Sequence, residues 1–211
     1  LGAATMATML KERGVQFSFV LDEGSAIVEG GVPGVASPVA LISLGEKGSV
    51  TLKFSAEDEG GHSSAPKEYT AASLAARAGY GAMDNPYPLV LDATLEAFIM
   101  SVAPEMDFGK RIALANLWLT RPLLEDQLGK NPTVAAFMHT TTALTMMKAG
   151  TKLNVLPQYG EATVNYRIHP RDTVASVAAR AKQIIDDERV TVTVFSGREA
   201  TSMSPVDGEG Y

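Results

Sequence analysis

Residues 49–56 have the sequence Ser-Val-Thr-Leu-Lys-Phe-Ser-Ala, and this stretch decides the fold class. Apolar side chains occupy every second position, and polar side chains lie between them. Such alternation is typical of a β-strand that buries one face and exposes the other. Residues 161–168, Glu-Ala-Thr-Val-Asn-Tyr-Arg-Ile, repeat the pattern. We therefore predict two strands of one half-buried antiparallel sheet.

Each of these strands is followed by a segment with helical spacing of its apolar residues. The segments are the alanine-rich residues 67–83 and residues 174–185. Two more strands are predicted at 140–147 and 190–194. The resulting order, β-α-insert-β-β-α-β, indicates an α+β fold: a split βαβ (ferredoxin-like) four-stranded antiparallel sheet with two helices on one face. The insert, about residues 86–138, is predicted to form three or four short helices.

The composition excludes several classes of protein. The chain has 211 residues, of which 45% are hydrophobic and 20% charged, a balance that can bury a core. The formal net charge of −6 and the lack of a basic run argue against nucleic acid as a partner. Without cysteine there is no disulfide framework and no thiolate metal site. No apolar run approaches the roughly 18 residues of a membrane span, so we expect no membrane span.

The amino-terminal part of the chain carries a candidate metal ligand. A helix is predicted at 2–13, a buried strand at Phe17–Leu21 and another strand at 39–43. The Phe17–Leu21 strand leads directly into an Asp-Glu-Gly turn, and α/β enzymes often place ligands at the carboxyl ends of strands. Carboxylate oxygens bind hard or borderline cations, so Glu23 or Asp22 could hold a metal. The alternative is a solvated turn, the commoner role of an acidic pair before glycine.

His62 lies in a glycine-containing turn, Gly-Gly-His-Ser-Ser at 60–64. The glycines permit close approach of the backbone to a ligand, and the imidazole could donate a hydrogen bond to a developing oxyanion. The alternative is a histidine that lies by chance in a surface turn.

Asn154 and Arg167 are candidates for substrate binding. Asn154 lies between two predicted strands, and Arg167 lies on the polar face of the strand at 161–168. An amide and a guanidinium could hold a carbonyl and a carboxylate, since the guanidinium donates in a bidentate manner. The alternative is an asparagine in a hairpin turn and an arginine in a surface ion pair.

Two further histidines and a group of apolar residues in the insert are assigned structural roles. His139 and His169 lack metal-ligand spacing to any other residue, so we predict structural or surface positions for both. Trp118 and its neighbours Leu114, Leu117 and Leu119 are predicted to form the core of the helical insert.

Several segments, taken in order, resemble the M20 metallopeptidase family. Residues 19–24 look like the segment of the third carboxylate ligand, 44–48 like the start of the lid, and 61–66 (Gly-His-Ser-Ser-Ala-Pro) like the lid histidine motif. Residues 140–145, 150–157 and 162–167 look like the second half of the lid. The resemblance covers nearly the whole chain. It is nearest to the branch of carboxypeptidase S and the N-fatty-acyl-amino acid synthase/hydrolases, which the long helical insert also suits.

The resemblance implies a metal site and specific residue roles. Members of the family hold two zinc ions, which acidify a bound water and polarise the scissile carbonyl. Only one of the metal ligands is expected in this chain, and it is Glu23. His62 is expected to be a catalytic residue that reaches the active site of the other subunit, with Asn154 and Arg167 binding the substrate. We expect no stoichiometric zinc on this chain by itself.

The resemblance also divides the chain into three parts. Residues 1–44 would be a fragment of the zinc-peptidase catalytic domain, 45–197 the lid or dimerisation domain, and 198–211 the return linker. The full-length protein is expected to be a carboxypeptidase or amidohydrolase that cleaves peptides or N-acyl amino acids beside a free carboxylate. This chain is expected to be an inactive piece of it, a homodimer through the lid. The rival interpretation is a non-catalytic domain of the same fold that binds a ligand or a protein.

Overall fold

The computed structural model of the chain describes residues 2–20 and 26–206. Its helices are α1 (Gly2–Glu12), α2 (Ala71–Asp84), α3 (Ala93–Val102), α4 (Phe108–Ala115), α5 (Leu117–Gly129), α6 (Pro132–Met138) and α7 (Val174–Ile185), with a 3-10 helix at Ala103–Glu105. Its strands are β1 (Ile27–Val28), β2 (Val39–Ala40), β3 (Gly48–Glu57), β4 (Gly61–His62), β5 (Thr141–Ala149), β6 (Val155–Leu156), β7 (Tyr159–Ile168) and β8 (Val190–Arg198). The predicted α+β class is confirmed.

The four long strands form one sheet in the order β5-β7-β3-β8, and every neighbouring pair is antiparallel. The two strands with the clearest alternation, β3 and β7, are the central pair. Their register places Ser49 opposite Arg167 and Glu57 opposite Tyr159. The start of β3 therefore lies beside the end of β7, and both strands run the full length of the sheet.

One face of the sheet is covered by α2 and α7. Each helix begins at a threonine that accepts a hydrogen bond from a backbone N–H of the first turn, Thr70 from Ser73 and Thr173 from Ser176. Such caps satisfy donors that have no partner inside the helix. The core between helices and sheet contains the buried side chains of Val50, Leu52, Phe54, Leu74, Ala78, Val164, Tyr166, Ile168, Val177 and Ala181. Because these strand residues alternate, Arg167 points to the opposite, polar face.

Gly160 allows α2 to lie directly against β7. A Cβ atom at this position would be 2.2 Å from the carbonyl oxygen of Ala71, the first residue of α2. Any side chain at residue 160 would therefore push the start of the helix away from the sheet.

The insert between α2 and β5 forms four short α-helices, α3 to α6, in agreement with the prediction of three or four. It has its own apolar cluster, in which Leu114 and Leu117 are buried. The prediction that Trp118 belongs to this core is wrong, because its side chain is 80% exposed. Leu117 takes the inward position at the start of α5, and the turn of the helix directs Trp118 and Leu119 outward.

The amino-terminal prediction of a buried strand at Phe17–Leu21 is also wrong for the described residues 17–20, which form no strand. Phe17 is 58% exposed and Val20 is 77% exposed. A strand needs a neighbour to satisfy its backbone groups, and in the described part of the chain nothing pairs with this segment. The predicted strand at 39–43 is reduced to β2, which pairs with β1. No helix in the described ranges is long and apolar enough to cross a membrane.

Candidate functional site

His62 lies on β4, which pairs with β6 in a separate two-stranded sheet. His62 is opposite Val155, and Gly61 is opposite Leu156. Gly60 precedes this pair with a φ of +76°, a conformation that favours glycine, and so permits the tight turn after β3. The predicted turn at 60–64 is thus partly a strand, and its pairing with β6 holds the backbone that carries the imidazole.

The hydrogen bonds of His62 define which ring nitrogen carries the proton in the neutral ring. The backbone N–H of Ser64 donates to Nδ1 over 3.2 Å, and the Ser64 hydroxyl is 2.8 Å from the same nitrogen. Because the backbone N–H can only donate, Nδ1 is the acceptor and Nε2 carries the hydrogen. The imidazole therefore presents an N–H donor on its outer side.

Asn154 is next to that donor. Its side-chain amide nitrogen Nδ2 lies 3.3 Å from His62 Nε2. Because Nδ2 and a protonated Nε2 are both donors, the amide oxygen accepts from Nε2 only when the oxygen and nitrogen of the amide exchange places. The backbone carbonyl of Asn154 also accepts from the Ser63 N–H at 3.0 Å. An oxyanion beside Nε2 could accept a hydrogen bond from the Nε2–H and another from the amide N–H of Asn154.

Arg167 lies on the central strand β7, between Ser49 of β3 and Thr141 of β5. Its side chain is exposed. Within residues 2–20 and 26–206, its guanidinium has no hydrogen bond and no ion pair. A surface arginine in an acidic chain usually finds a carboxylate, so the predicted alternative of a surface ion pair does not describe this residue. The free guanidinium can bind a planar anion by donating two parallel hydrogen bonds to it.

The structure brings His62 and Asn154 together and places Arg167 elsewhere. His62 follows the end of the sheet where Glu57 faces Tyr159, whereas Arg167 lies at the end where β3 begins. The eight-residue step from Tyr159 to Arg167 along β7 corresponds to about 27 Å. One copy of the chain therefore carries two separate groups of candidate residues.

A group of polar residues beside Arg167 was not identified from the sequence as functional. Lys47 precedes β3 and donates to backbone carbonyls at the end of α6. Arg171 donates to the Met138 carbonyl in the same region. The Lys47 segment resembles the start of the lid, but its contacts join residues about ninety positions apart, so no local pattern could reveal them.

The family of the chain follows from residues 44–193, which match the family described as the peptidase dimerisation domain of M20 peptidases. This match includes β3, β5, β7 and the first residues of β8, and it covers more than half of the chain. The chain belongs to the M20 peptidase family.

Two curated M20 relatives and one solved structure illustrate the similarity. Human N-fatty-acyl-amino acid synthase/hydrolase PM20D1 is 39% identical over an alignment of 213 residues, which covers 100% of this chain and 42% of that protein. Probable carboxypeptidase S-like 2 of Dictyostelium discoideum is 36% identical, over 85% of this chain and 35% of that protein. The M20 family metallo-carboxypeptidase Sso-CP2 of Sulfolobus solfataricus matches with a TM-score of 0.46 and 15% identity, over 75% of this chain and 45% of that one.

The resemblance to the carboxypeptidase S branch is thereby confirmed, and the chain is a dimerisation domain of an M20 peptidase. It spans about two fifths of the length of these curated relatives.

M20 peptidases depend on metal, and the residues described here do not provide a metal centre. Glu23, the predicted ligand, and Asp22 lie outside the described residues. Among residues 2–20 and 26–206, no three His, Cys, Asp or Glu side chains are grouped so that they could share an ion. His139 and His169 are instead held by contacts with the insert. These residues do not fit a two-zinc centre, and no zinc-dependent step is assigned to them.

Proposed function

We propose that the chain is the dimerisation and substrate-capping domain of a two-zinc amidohydrolase. The full-length protein hydrolyses the amide bond next to a free carboxylate in a peptide or an N-acyl amino acid. In this proposal residues 1–44 belong to the catalytic domain and contribute Glu23 as a zinc ligand, 45–197 form the lid, and 198–211 return to the catalytic domain. The observation that carries the proposal is that His62 and Asn154 lie near one end of the sheet and Arg167 lies at the other. One small substrate can then contact all three residues only if they come from two copies of the chain.

Arg167 is proposed to bind the carboxylate of the substrate. Its guanidinium is exposed and has no partner within the described ranges, and it is held on a central strand paired on both sides. A bidentate guanidinium–carboxylate pair fixes the orientation of the substrate as well as its charge. This explains why the proposed substrates end in a free carboxylate.

His62 and Asn154 are proposed to act on the oxygen of the scissile carbonyl. The Nε2–H of the imidazole and the amide of Asn154 are adjacent and exposed, and Ser64 holds the required tautomer. A donor that meets the oxygen only as negative charge develops stabilises the transition state more than the bound substrate.

A second copy brings the two groups into one active site. One small substrate has its carboxylate a single residue away from its scissile amide, so it cannot reach from the end of the sheet near His62 to Arg167 at the other end. The step from Tyr159 to Arg167 along β7 alone spans about 27 Å. In a two-fold symmetric dimer, each site would use Arg167 of one subunit together with His62 of the partner subunit. The two sites of the dimer are then equivalent.

The open edge of β5 is the proposed dimer contact. Residues 145–149 are all exposed, so the helical insert leaves this half of the edge uncovered. Met146 and Met147 on β5, and Tyr80 and Met83 on the neighbouring α2, add exposed apolar surface. Pairing two such edges satisfies their backbone groups and buries these side chains.

The test is complementation between two variants of the full-length protein, each with strongly reduced activity toward a free-carboxylate substrate. His62→Ala and Arg167→Met are purified, mixed, unfolded and refolded together, and then assayed. In a mixed dimer one site lacks both residues and the other keeps both, so about one quarter of wild-type activity should return after random pairing. Refolding each variant alone provides the baseline.

A mixture of His62→Ala with Asn154→Ala is the matched control. These residues lie in the same group, so every site of the mixed dimer keeps one defect and activity should not return. If His62→Ala and Arg167→Met also fail to complement while mixed dimers form, the site made from two copies is wrong. A non-catalytic domain would show no effect of either substitution on hydrolysis.

A further inference from the structure

Lys47 belongs to a segment that resembles the start of the lid, and the proposed function gives it no role. It directly precedes β3, beside the end of β7. Its ammonium donates to the carbonyl oxygens of Ala136 and His139, each at 2.8 Å. These carbonyls belong to the last turn of α6 and to the residue that caps it. The carboxyl end of a helix favours a cation, because its last carbonyls lack partners within the helix.

The end of α6 is held by two cations of the lid. Arg171 donates to the carbonyl of Met138 at 2.8 Å, so it complements the contacts of Lys47. Only Thr140 separates the His139 cap from Thr141, which pairs with Arg167. The place where the insert ends is therefore the place where the strand beside Arg167 begins.

The charges around Lys47 are poorly balanced. Burial lowers the pKa of Lys47 most, and the nearby Arg167 lowers it further. The carboxylate of Asp172 acts in the opposite direction, and the resulting pKa is about 8. His169 faces the same region, and burial and Arg171, together with Lys47, lower the pKa of that imidazole. Within the described ranges no carboxylate forms an ion pair with Lys47 or Arg167. An anion that binds Arg167 would reduce the repulsion between the two cations.

We infer that Lys47 is a positioning residue for carboxylate binding at Arg167, holding the end of the insert beside the guanidinium and adding a second positive charge. The inference rests on the proposed function of Arg167. Two of the three N–H donors of Lys47 are directed to the α6 carbonyls, and the inference assigns the direct contact with the carboxylate to Arg167. The positive charge of Lys47 and the end of the insert that it holds in place both act on the bound carboxylate.

A pH dependence follows from this arrangement. A bound carboxylate stabilises the protonated ammonium, so the affinity for the substrate must fall as the pH rises through about 8. Arginine at this position would keep its charge throughout, whereas methionine would have none. An amidated substrate has no carboxylate and should be insensitive to Lys47.

The experiment measures kcat and KM of the full-length protein between pH 6.5 and 9.5 for a free-carboxylate substrate and its amide. Lys47→Met should raise KM for the carboxylate roughly tenfold at pH 7, leave kcat nearly unchanged and remove the change in KM near pH 8. Lys47→Arg should restore most of the affinity without that pH dependence. Equal losses for the carboxylate and the amide, or an unaltered pH profile in Lys47→Met, would overturn the inference.

A second measurement uses the 211-residue chain and does not depend on catalysis. NMR titration should show the Lys47 ammonium titrating near pH 8 and shifting upward in Arg167→Met. Arg198→Met is the matched control, because Arg198 also flanks Ser49 but pairs with Glu46. An unchanged Lys47 pKa in Arg167→Met would overturn the coupling of the two cations. If Lys47 responds but Arg167→Met keeps its preference for carboxylates, the proposed function of Arg167 fails, and with it the role of Lys47 in binding.

Discussion

The two ends of β7 are built in opposite ways. At one end, His62 and Asn154 are exposed and are joined by a two-residue strand pair and direct side-chain contacts. At the other end, Arg167 has no hydrogen-bond or ion-pair partner among the described residues and lies beside a half-buried lysine and the end of the helical insert. The first group depends on local loop geometry, and the second depends on how the insert packs against the sheet. Substitutions in the loop should therefore alter chemistry alone, whereas those near the insert should alter binding and stability together.

The largest effect is expected from Met147→Glu on β5. If the dimer is lost, His62 and Asn154 of one subunit no longer meet Arg167 of the other, and no complete site remains. A carboxylate buried without a partner in a paired edge costs several kcal/mol. Light scattering at micromolar concentration should give about twice the 22.3 kDa chain mass for the wild-type chain and 22.3 kDa for the variant. Phe137→Glu changes another exposed apolar residue, which lies in the insert, and should leave the dimer intact. A monomeric wild-type chain would contradict the β5 contact for this chain.

The next largest effect is expected from His62→Ala in the full-length protein. Loss of one oxyanion donor should lower kcat by about 10²–10³-fold and change KM little. Ser64→Ala serves as a milder comparison, because it removes the hydroxyl contact with Nδ1 and keeps the backbone donor. Steady-state kinetics with one substrate separates the two parameters. A near-normal kcat in His62→Ala would reduce this residue to part of a surface loop.

A smaller effect on a different parameter is expected from Arg167→Lys. Lysine keeps the charge but cannot form two parallel hydrogen bonds with a carboxylate. We expect KM for a free-carboxylate substrate to rise by roughly tenfold, with kcat close to that of the wild type. The amidated substrate should be unaffected, so the ratio of the two specificity constants is the useful measurement. If the ratio does not change, the carboxylate is bound by other residues.

The smallest effect is on stability, and its sign follows from the pKa of Lys47. The folded chain holds this pKa at about 8, below the usual value of 10.5. The unfolded state therefore binds more protons in that interval, and the free energy of unfolding rises as the pH increases from 8 to 10. Because water screens a half-exposed ammonium, we expect a rise of about 1 kcal/mol.

Urea unfolding of the wild type and Lys47→Met at several pH values measures this rise as a difference between the two proteins. Burial raises the pKa of Tyr87 to about 12, which acts in the opposite direction at high pH. That contribution is present in both proteins and cancels in the comparison. Parallel pH profiles of the two proteins would show that Lys47 does not titrate in this range.

Helices and strands with a regular apolar pattern were predictable, because the spacing of apolar residues within the element indicates which face is buried. The alternation in β3 and β7 follows from a sheet with one buried face, and the apolar spacing at 174–185 matches the bounds of α7. Such patterns need no knowledge of distant residues. The helix predicted from residue 67 begins instead at Ala71, after the Thr70 cap, and the same Thr-x-x-Ser sequence caps the start of α7 at Thr173.

The errors lie where burial depends on a neighbour. The apolar run at Phe17–Leu21 is compatible with a buried strand, but within residues 17–20 it has no pairing partner and remains exposed. Trp118 is the largest apolar residue of the insert, yet Leu117 and Leu114 occupy the inward positions. Residue type alone cannot say which of two adjacent apolar side chains a short helix will bury.

The sequence by itself determined the α+β class, the central strands, the packing helices and the identity of His62, Asn154 and Arg167 as candidate residues. Periodicity and motif resemblance are properties of short segments, so they can be recognised without a structure. Only the tertiary structure decided that His62 and Asn154 meet while Arg167 lies at the opposite end of the sheet. It also placed Lys47 against α6. These relations arise from strand register and from contacts between segments far apart in the chain, which no local pattern encodes.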